Sequence, residues 1–301
     1  MSVQKRFDGT RIRNLPAFRI INPYVMKGRN ESAIFYSQTI DIDTTHEFIR
    51  GYNKSRPSDE RITLFHVILA AAVRTIALRP QLNRFVSGRH IYQRNRIVFS
   101  FIVKKELNDN GAETNAKITF NPFDTLAAVG ARTREHVGNA RDPEGNESDH
   151  ELDFFSRLPR FLLNMVVRAF LALDYFGVAP KGMLELDPLF ASAYIANLGS
   201  VGLDAPFHHL YEWGNTSLFL VIGRTRRKSV PVGTEGLENR LVLDVRYTID
   251  DRITEGIYAA HSLQLFRDLV ADPQRLLEKP IIDDAILKES RIEHMPEEIE
   301  V

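Results

Sequence analysis

The segment that most constrains this chain is a strand, a short charged junction and a helix, in direct succession. Residues 241–249 form an apolar strand pattern. They run into Asp250-Asp251-Arg252-Ile253-Thr254-Glu255-Gly256, and a helical pattern continues to about Val270. A fold must therefore deliver a buried strand to its end, turn the chain through seven mostly polar residues, and bring a helix back over it.

Composition narrows the function classes. Lys plus Arg and Asp plus Glu number 39 each in 301 residues, so the formal net charge is zero. That balance argues against a nucleic-acid partner, which requires a basic face. The chain has no cysteine. A disulfide scaffold, a thiol nucleophile and thiolate metal sites are excluded. No His-Glu-x-x-His or equivalent spacing is present, so no metal site is expected. Residues 1–14 are polar and basic without an apolar core, so no signal peptide is read there and a cytoplasmic protein is expected. The most membrane-like stretch, residues 158–178, carries Arg160, Asn164, Arg168 and Asp174. Polar and charged side chains at those positions favour amphipathic turns on a soluble body over a membrane span, with a surface-lying helix as the second reading.

Along the chain, residues 1–30 read as an arm with a short helix at 15–26. Residues 32–42 alternate as a strand, and Asp43-Thr44-Thr45 offers cap chemistry for a helix to about Lys54. Thr63 caps a helix over residues 64–78 that is apolar on most faces, hence central; Pro80 ends it. Strands are expected at 97–106 and 116–121 around a turn at 108–111, then a helix from Asp124 to about Asn139. Residues 141–149 read as a polar loop and 152–176 as helical. Strands follow at 192–197 and 217–223 with a glycine turn between them, and Arg224-Thr225-Arg226-Arg227-Lys228 reads as a basic hairpin. Residues 272–301 form a tail. Without repeats or a separating linker, a single domain is expected.

Three segments in order carry a family likeness. The first is Leu64-Phe65-His66-Val67-Ile68-Leu69-Ala70-Ala71-Ala72 with Arg79-Pro80-Gln81-Leu82-Asn83. The second is Ile195-Ala196-Asn197-Leu198-Gly199-Ser200-Val201-Gly202 followed by residues 218–223. The third is Asp250 to Gly256. Together they resemble the catalytic domain of the acyltransferase subunits of 2-oxo-acid dehydrogenase complexes and, more distantly, chloramphenicol acetyltransferase. The likeness spans residues 15–275 and points to a freestanding, divergent branch; no lipoyl or subunit-binding domain is read ahead of it. It implies a two-layer α/β sandwich around a mixed β-sheet, assembled as a homotrimer with active sites in channels between subunits. Coenzyme A or acyl-CoA would enter from one end and a small-molecule acyl acceptor from the other.

The family junction reads Asp-His-Arg-x-x-Asp-Gly, and its histidine is the catalytic base. Here that position is Asp251, and the later acid is Glu255. The serine that commonly precedes Asn-Leu-Gly is Ala196, which has no oxyanion donor. The resemblance therefore carries over Asn197, Gly199, Gly202, Arg252 and Gly256 as candidate cofactor-binding positions. Ser200 becomes the replacement hydroxyl or a plain turn residue. Asp251 reads as a helix cap, an arginine partner, a general base or a ligand contact. An unperturbed Asp is about 2.6 pH units less basic than His, roughly 3.5 kcal/mol of driving force. His208 and His209, between the glycine turn and the next strand, are candidate transplanted bases, substrate or cofactor contacts, or packing or capping residues, and adjacent positions make them poor metal ligands. His261 lies close to the junction. The basic run 224–228 reads as a solvated tip or a phosphate contact. Phe207, Tyr211 and Trp213 read as core or pocket lining. The apolar segment 161–176 is additional to the family core; packing on the trimer, covering a channel mouth and holding an acyl chain all remain open. Two functions follow: a coenzyme-A-dependent acyltransferase with a rebuilt acid–base group, or a non-catalytic trimeric binding or scaffold protein on the same fold.

Overall fold

The computed structural model describes residues 4–104, 113–140, 157–232 and 236–299. In chain order the strands are β1 (Lys5–Arg6), β2 (Gly9–Arg11), β3 (Ala33–Asp41), β4 (Arg84–Ser87), β5 (His90–Arg94), β6 (Ile97–Lys104), β7 (Glu113–Phe120), β8 (Ala193–Asn197), β9 (Leu218–Val232) and β10 (Gly236–Asp250). The helices are α1 (Ala17–Val25), α2 (Asp43–Asn53), α3 (Leu64–Leu78), α4 (Leu126–Ala140), α5 (Arg160–Phe176), α6 (Lys181–Leu186), α7 (Gly256–Ala271) and α8 (Asp284–Ser290).

Six strands form the main sheet in the order β3-β10-β9-β8-β6-β7. The β6–β8 and β8–β9 pairs are parallel and the other three antiparallel, so the sheet is mixed. Side-chain alternation gives each face its own character. One face presents Ile97, Phe99, Ile118, Ile195, Leu220, Val245 and Ile249 to the helices, and these form the principal core with α3 and α7. The opposite face carries Tyr194, Phe219 and Val221, packed under the segment between β8 and β9 with Ala205 and Leu210. Strands β1, β2, β5 and β4 make a separate antiparallel sheet.

Helix α3 is buried from His66 to Ala77, as its all-round apolar pattern requires. Its first turn is a capping box. The His66 amide donates to Thr63 Oγ1 (3.4 Å), and the Thr63 amide donates to His66 Nδ1 (3.1 Å). Burial, with Arg134 adding to it, lowers the His66 pKa to about 4.

Several boundaries differ from the sequence reading. Helix α2 begins at Asp43 with Ile42 in the capping position and no side-chain cap. Thr45 instead donates to the Val270 carbonyl (2.6 Å), a tie between helices. Asp124 precedes α4 rather than starting it: it accepts from the Asn121 amide and Arg132, both at 2.9 Å. The basic run 224–228 lies inside the long strand β9, not at a hairpin tip. The arm is partly built into the second sheet, where Arg6 and Asp8 are buried. The expected turn at 108–111 and loop at 141–149 lie outside the described residues, as do the ends of the 97–106 strand and the 152–176 helix.

The capping box makes a stability prediction. Unfolded His titrates near 6.5 and folded His66 near 4, so the unfolded chain takes up a proton that the native state refuses. Stability contributed by neutral His66 is present above about pH 6.5 and is lost as pH falls towards 4. In urea unfolding, His66→Gln, which keeps a box-competent side chain, should lose less stability between pH 7 and pH 5 than the native sequence does. Equal losses would show that His66 is not the responsible group.

Candidate functional site

The junction after β10 is held by backbone first. The Asp250 amide donates to the Ser217 carbonyl (3.0 Å) and the Asp251 amide to the Ser32 carbonyl (2.8 Å), so the strand end is tied to both neighbours. Asp250 is fully buried and accepts a two-pronged bond from Arg252: Nε to Oδ1 at 2.8 Å and Nη2 to Oδ2 at 2.7 Å. Arg252 Nη1 donates to the carbonyls of Met26 (3.0 Å) and Lys27 (3.2 Å). Each guanidinium nitrogen of Arg252 is thus engaged within the protein. The side chain carried over as a cofactor contact stands under the junction as a structural clamp.

Asp251 is placed differently. Its carbonyl accepts from Arg19 Nη1 (2.7 Å), and its side chain is half-buried. The carboxylate makes no hydrogen bond or ion pair among the described residues. It does not cap α7, which begins at Gly256 with Glu255 in the capping position. Neither of the structural roles open to it in the sequence, cap or arginine partner, is taken up. Gly256 is sterically open, since a Cβ there would meet nothing within 4 Å. His261 is exposed on α7.

The glycine turn is built by close approach. Strand β8 ends at Asn197, and Leu198–Val201 forms a single 3-10 turn. Gly202 closes it at φ +77°, the left-handed region that glycine tolerates. A Cβ on Gly199 would lie 2.4 Å from the Gly223 carbonyl oxygen, and one on Gly223 would lie 2.7 Å from the Ala205 amide. The register between β9 and β10 shifts here, between Leu243 and Val245. Ser200 is exposed, and its Oγ donates to the Asn197 carbonyl (2.7 Å).

From this turn the chain returns along β9 to His208. Its ring stacks on Phe219 at 3.9 Å and 9°. His208 Nδ1 lies 2.7 Å from the His209 carbonyl, and the His208 carbonyl accepts from Thr248 Oγ1. With Nδ1–H donating to that carbonyl, Nε2 carries the free lone pair. Burial holds the His208 pKa below the usual histidine value against the bond to His209. His209 is exposed, with Nδ1 2.8 Å from the Leu210 carbonyl. The aromatic set divides. Phe207 meets Phe35 edge-on, Tyr211 packs near both histidines, and Trp213 stacks on Phe170 of α5. The basic run is partly paired: Arg224 reaches Asp204, and Arg226 reaches Asp244 and Asp204. Among the described residues no group of three His, Cys, Asp or Glu side chains is placed to hold a metal ion.

These candidates fall into two sets. His208 is tied to Thr248, three residues before Asp251, so both lie at one end of β10. Asn197 pairs with Ile222, and Ile222 with Val245, six residues before Asp251. At about 3.3 Å per strand residue, the glycine turn lies roughly 20 Å along the sheet from Asp251. One copy of the chain does not unite them.

No family model matches the sequence, and no curated protein matches it. Solved structures do. Azotobacter vinelandii dihydrolipoamide acetyltransferase superposes with a TM-score of 0.58 at 16% identity, covering 89% of this chain and 95% of that one. The cubic core of a pyruvate dehydrogenase multienzyme complex gives 0.52 at 15%, covering 89% and 95%. A chloramphenicol acetyltransferase gives 0.53 at 13%, covering 90% and 100%. The chain has the chloramphenicol acetyltransferase-like fold. The α/β architecture and mixed sheet implied by the three motifs are those observed.

The sequence did not single out the residues that brace this site. Arg29 is buried and donates to the carbonyls of Glu212 (2.8 Å) and Val86 (3.1 Å), while the Glu212 carboxylate accepts from the amides of Arg29 and Asn30. Those links, with Arg19, join the arm to the junction and to the loop bearing His208. Isolated arginines in an arm carry no periodic signal, so only their burial identifies them. Removing one partner of a buried ion pair leaves the other charge uncompensated. Asp250→Asn should therefore cost about 3–5 kcal/mol in urea unfolding. A loss under about 1 kcal/mol, the range of an exposed pair, would show that the clamp does not hold the junction.

Proposed function

We propose that this protein is a coenzyme-A-dependent acyltransferase whose active site forms between copies of the chain in a homotrimer. The observation that carries this reading is the separation just described. The Asp251 carboxylate has no partner among the described residues and is braced through its backbone, about 20 Å from the glycine turn of its own chain. A second copy is the natural source of the missing half. In support, α1 buries Arg19, Asn22 and Pro23 and exposes Phe18, Ile21 and Val25; Ile257 beside the junction is exposed as well. A helix that hides its polar side and shows its apolar side fits an interface.

In the reaction, Asp251 takes the proton from the acceptor thiol or hydroxyl as it attacks the thioester carbonyl. The tetrahedral oxyanion is met by the Ser200 hydroxyl of the neighbouring copy, which exchanges its single carbonyl partner for the substrate. Collapse expels the coenzyme A thiolate, and the proton held by Asp251 returns to it. Asn197, Gly199 and Gly202 shape the wall against which the thioester lies. His208 is the second candidate base, through Nε2. His209, more exposed, is a contact at the rim. The acyl donor's phosphates have the exposed part of the basic run 224–228 within β9 as a cationic surface.

A non-catalytic trimeric binding or scaffold protein has one observation on its side. Ala196 offers a methyl where the related enzymes commonly place a serine, and the Ser200 proton is already engaged on Asn197. Turnover separates the two. Coenzyme A released from acetyl-CoA should be followed with thiol, hydroxyl and amine acceptors. The acyltransferase reading expects turnover that falls about 10²–10⁴-fold in Asp251→Ala. Mixing Asp251→Ala with Ser200→Ala subunits should restore about one quarter of the native activity, because reassorted trimers regain intact sites. No transfer to any acceptor would leave the binding-protein reading. Transfer without complementation would place the whole site in one copy.

A further inference from the structure

A cavity lies on the same face of the sheet as His208 but against β7. Strand β7 is four strands from β10, about 19 Å at the usual strand spacing. Its volume is about 170 Å³. Three cations line it: Arg94 at the end of β5, Arg96 just before β6, and Lys117 in β7. Its apolar walls include Phe7, Leu184 and Phe190.

The two carboxylates at this cavity do not neutralise those cations. Asp8 is already bound by Arg6 at 2.8 Å and by the Asn215 amide at 2.6 Å, with Arg94 Nη1 at 4.0 Å. Glu185 is half-exposed and reaches Lys181 at 3.7 Å. Lys117 Nζ donates to the carbonyls of Leu184 and Asp187, both at 2.7 Å, which leaves one of its three N–H groups for another acceptor. Arg94 is buried and gives Nη2 to Asn215 Oδ1 (2.7 Å), while its Nε–H has no partner among the described residues. A buried guanidinium N–H without an acceptor is costly, and an oxyanion is the acceptor that suits it best.

We propose that this cavity binds a small organic carboxylate, its oxygens at Arg94 and Lys117 and its apolar portion against Phe7, Leu184 and Phe190. Two donors, the Arg94 Nε–H and one Lys117 N–H, match the two oxygens of a carboxylate. The apolar side chains of Phe7, Leu184 and Phe190 in the lining favour a carboxylate with a short alkyl or aryl group over a bare inorganic ion.

Lys117 gives the site a pH signature. Burial, with Arg94 adding to it, lowers its pKa to about 7. The charged groups around it are Arg94, Arg96, Asp8 and Asp187, and Glu185 also lines the cavity. The protonated form binds an anion, so affinity is highest below pH 7 and falls as Lys117 loses its proton. Between pH 6 and pH 8 the charged fraction drops about tenfold.

The test is calorimetric titration of the full chain with propionate, isobutyrate and benzoate. The matching amides serve as neutral controls and inorganic phosphate as a separate arm. We expect a carboxylate to bind, its amide not to, and affinity to fall about tenfold from pH 6 to pH 8. Lys117→Met should weaken binding by at least tenfold and remove that pH dependence. Arg96→Gln, at the more open side, should weaken it less; thermal unfolding of both variants checks that they are folded. If Lys117→Met does not fold, the pH dependence of the native chain decides alone. No binding by any carboxylate, equal binding of the amides, tighter binding of phosphate than of every carboxylate, or affinity indifferent to pH would each overturn the proposal.

Discussion

The pair formed by Asp250 and Arg252 sits where four parts of the chain meet: the ends of β10, β9 and β3, and the arm through Met26 and Lys27. Burying two charges is expensive, and what compensates is complete satisfaction: a two-pronged ion pair plus carbonyl partners for the remaining guanidinium nitrogen. That requirement has structural consequences. The carbonyls of Met26 and Lys27 are available only if the arm lies across the strand end, and the arm is kept there by Arg29 and Glu212, which also fix the loop leading to His208. The position of Asp251 follows. Its amide, its carbonyl and the residues on either side are all constrained, and the carboxylate is what remains unconstrained.

The rest of the sheet shows why the glycine turn and the junction are separate devices. Alternation gives one face to α3 and α7 and the other to a covering loop. The turn reaches the sheet only where Gly199 and Gly223 allow two backbones to touch. The register shift in β10 falls at that level, and Asp244, buried within it, accepts from Thr39 (2.6 Å) and pairs with Arg226. Glycines and a bulge position the turn, while charge burial positions the junction. Neither depends on contact with the other.

Much of the architecture could be read in the residues, and the reasons are local. The all-apolar run of α3, the Thr63 cap, the alternating β3 and the strand–junction–helix unit each have a period or a cap that one segment carries by itself. The small sheet of β1, β2, β4 and β5 was missed because its strands are two to five residues long and dense in arginine. Their burial comes from ion pairs such as Arg6 with Asp8 and Asp174, which no hydropathy pattern records. Likewise Arg252 matched the family motif as a residue type, yet its role depends on carbonyls more than two hundred residues away. Ser200 shows the same limit: sequence places a hydroxyl in the turn, and only geometry shows which acceptor holds it.

In the proposed homotrimer the retained frame is half of a site. Six residues along β10 separate the level of the glycine turn from Asp251, and no side-chain rotation spans that distance. A carboxylate is also shorter than an imidazole, so in the proposed site its reaction partner comes closer to the junction. Helix α1 reaches Asp251 through its buried Arg19 and leaves its apolar side exposed, as is Ile257 six residues after Asp251; such surfaces bind water poorly. A neighbouring copy seated on those surfaces would exclude water from the carboxylate and bring an opposing turn towards it in the same step. Exclusion of water strengthens every electrostatic contact to the developing charge. In the proposed assembly the apolar side of α1 therefore contributes to the chemistry together with Asp251.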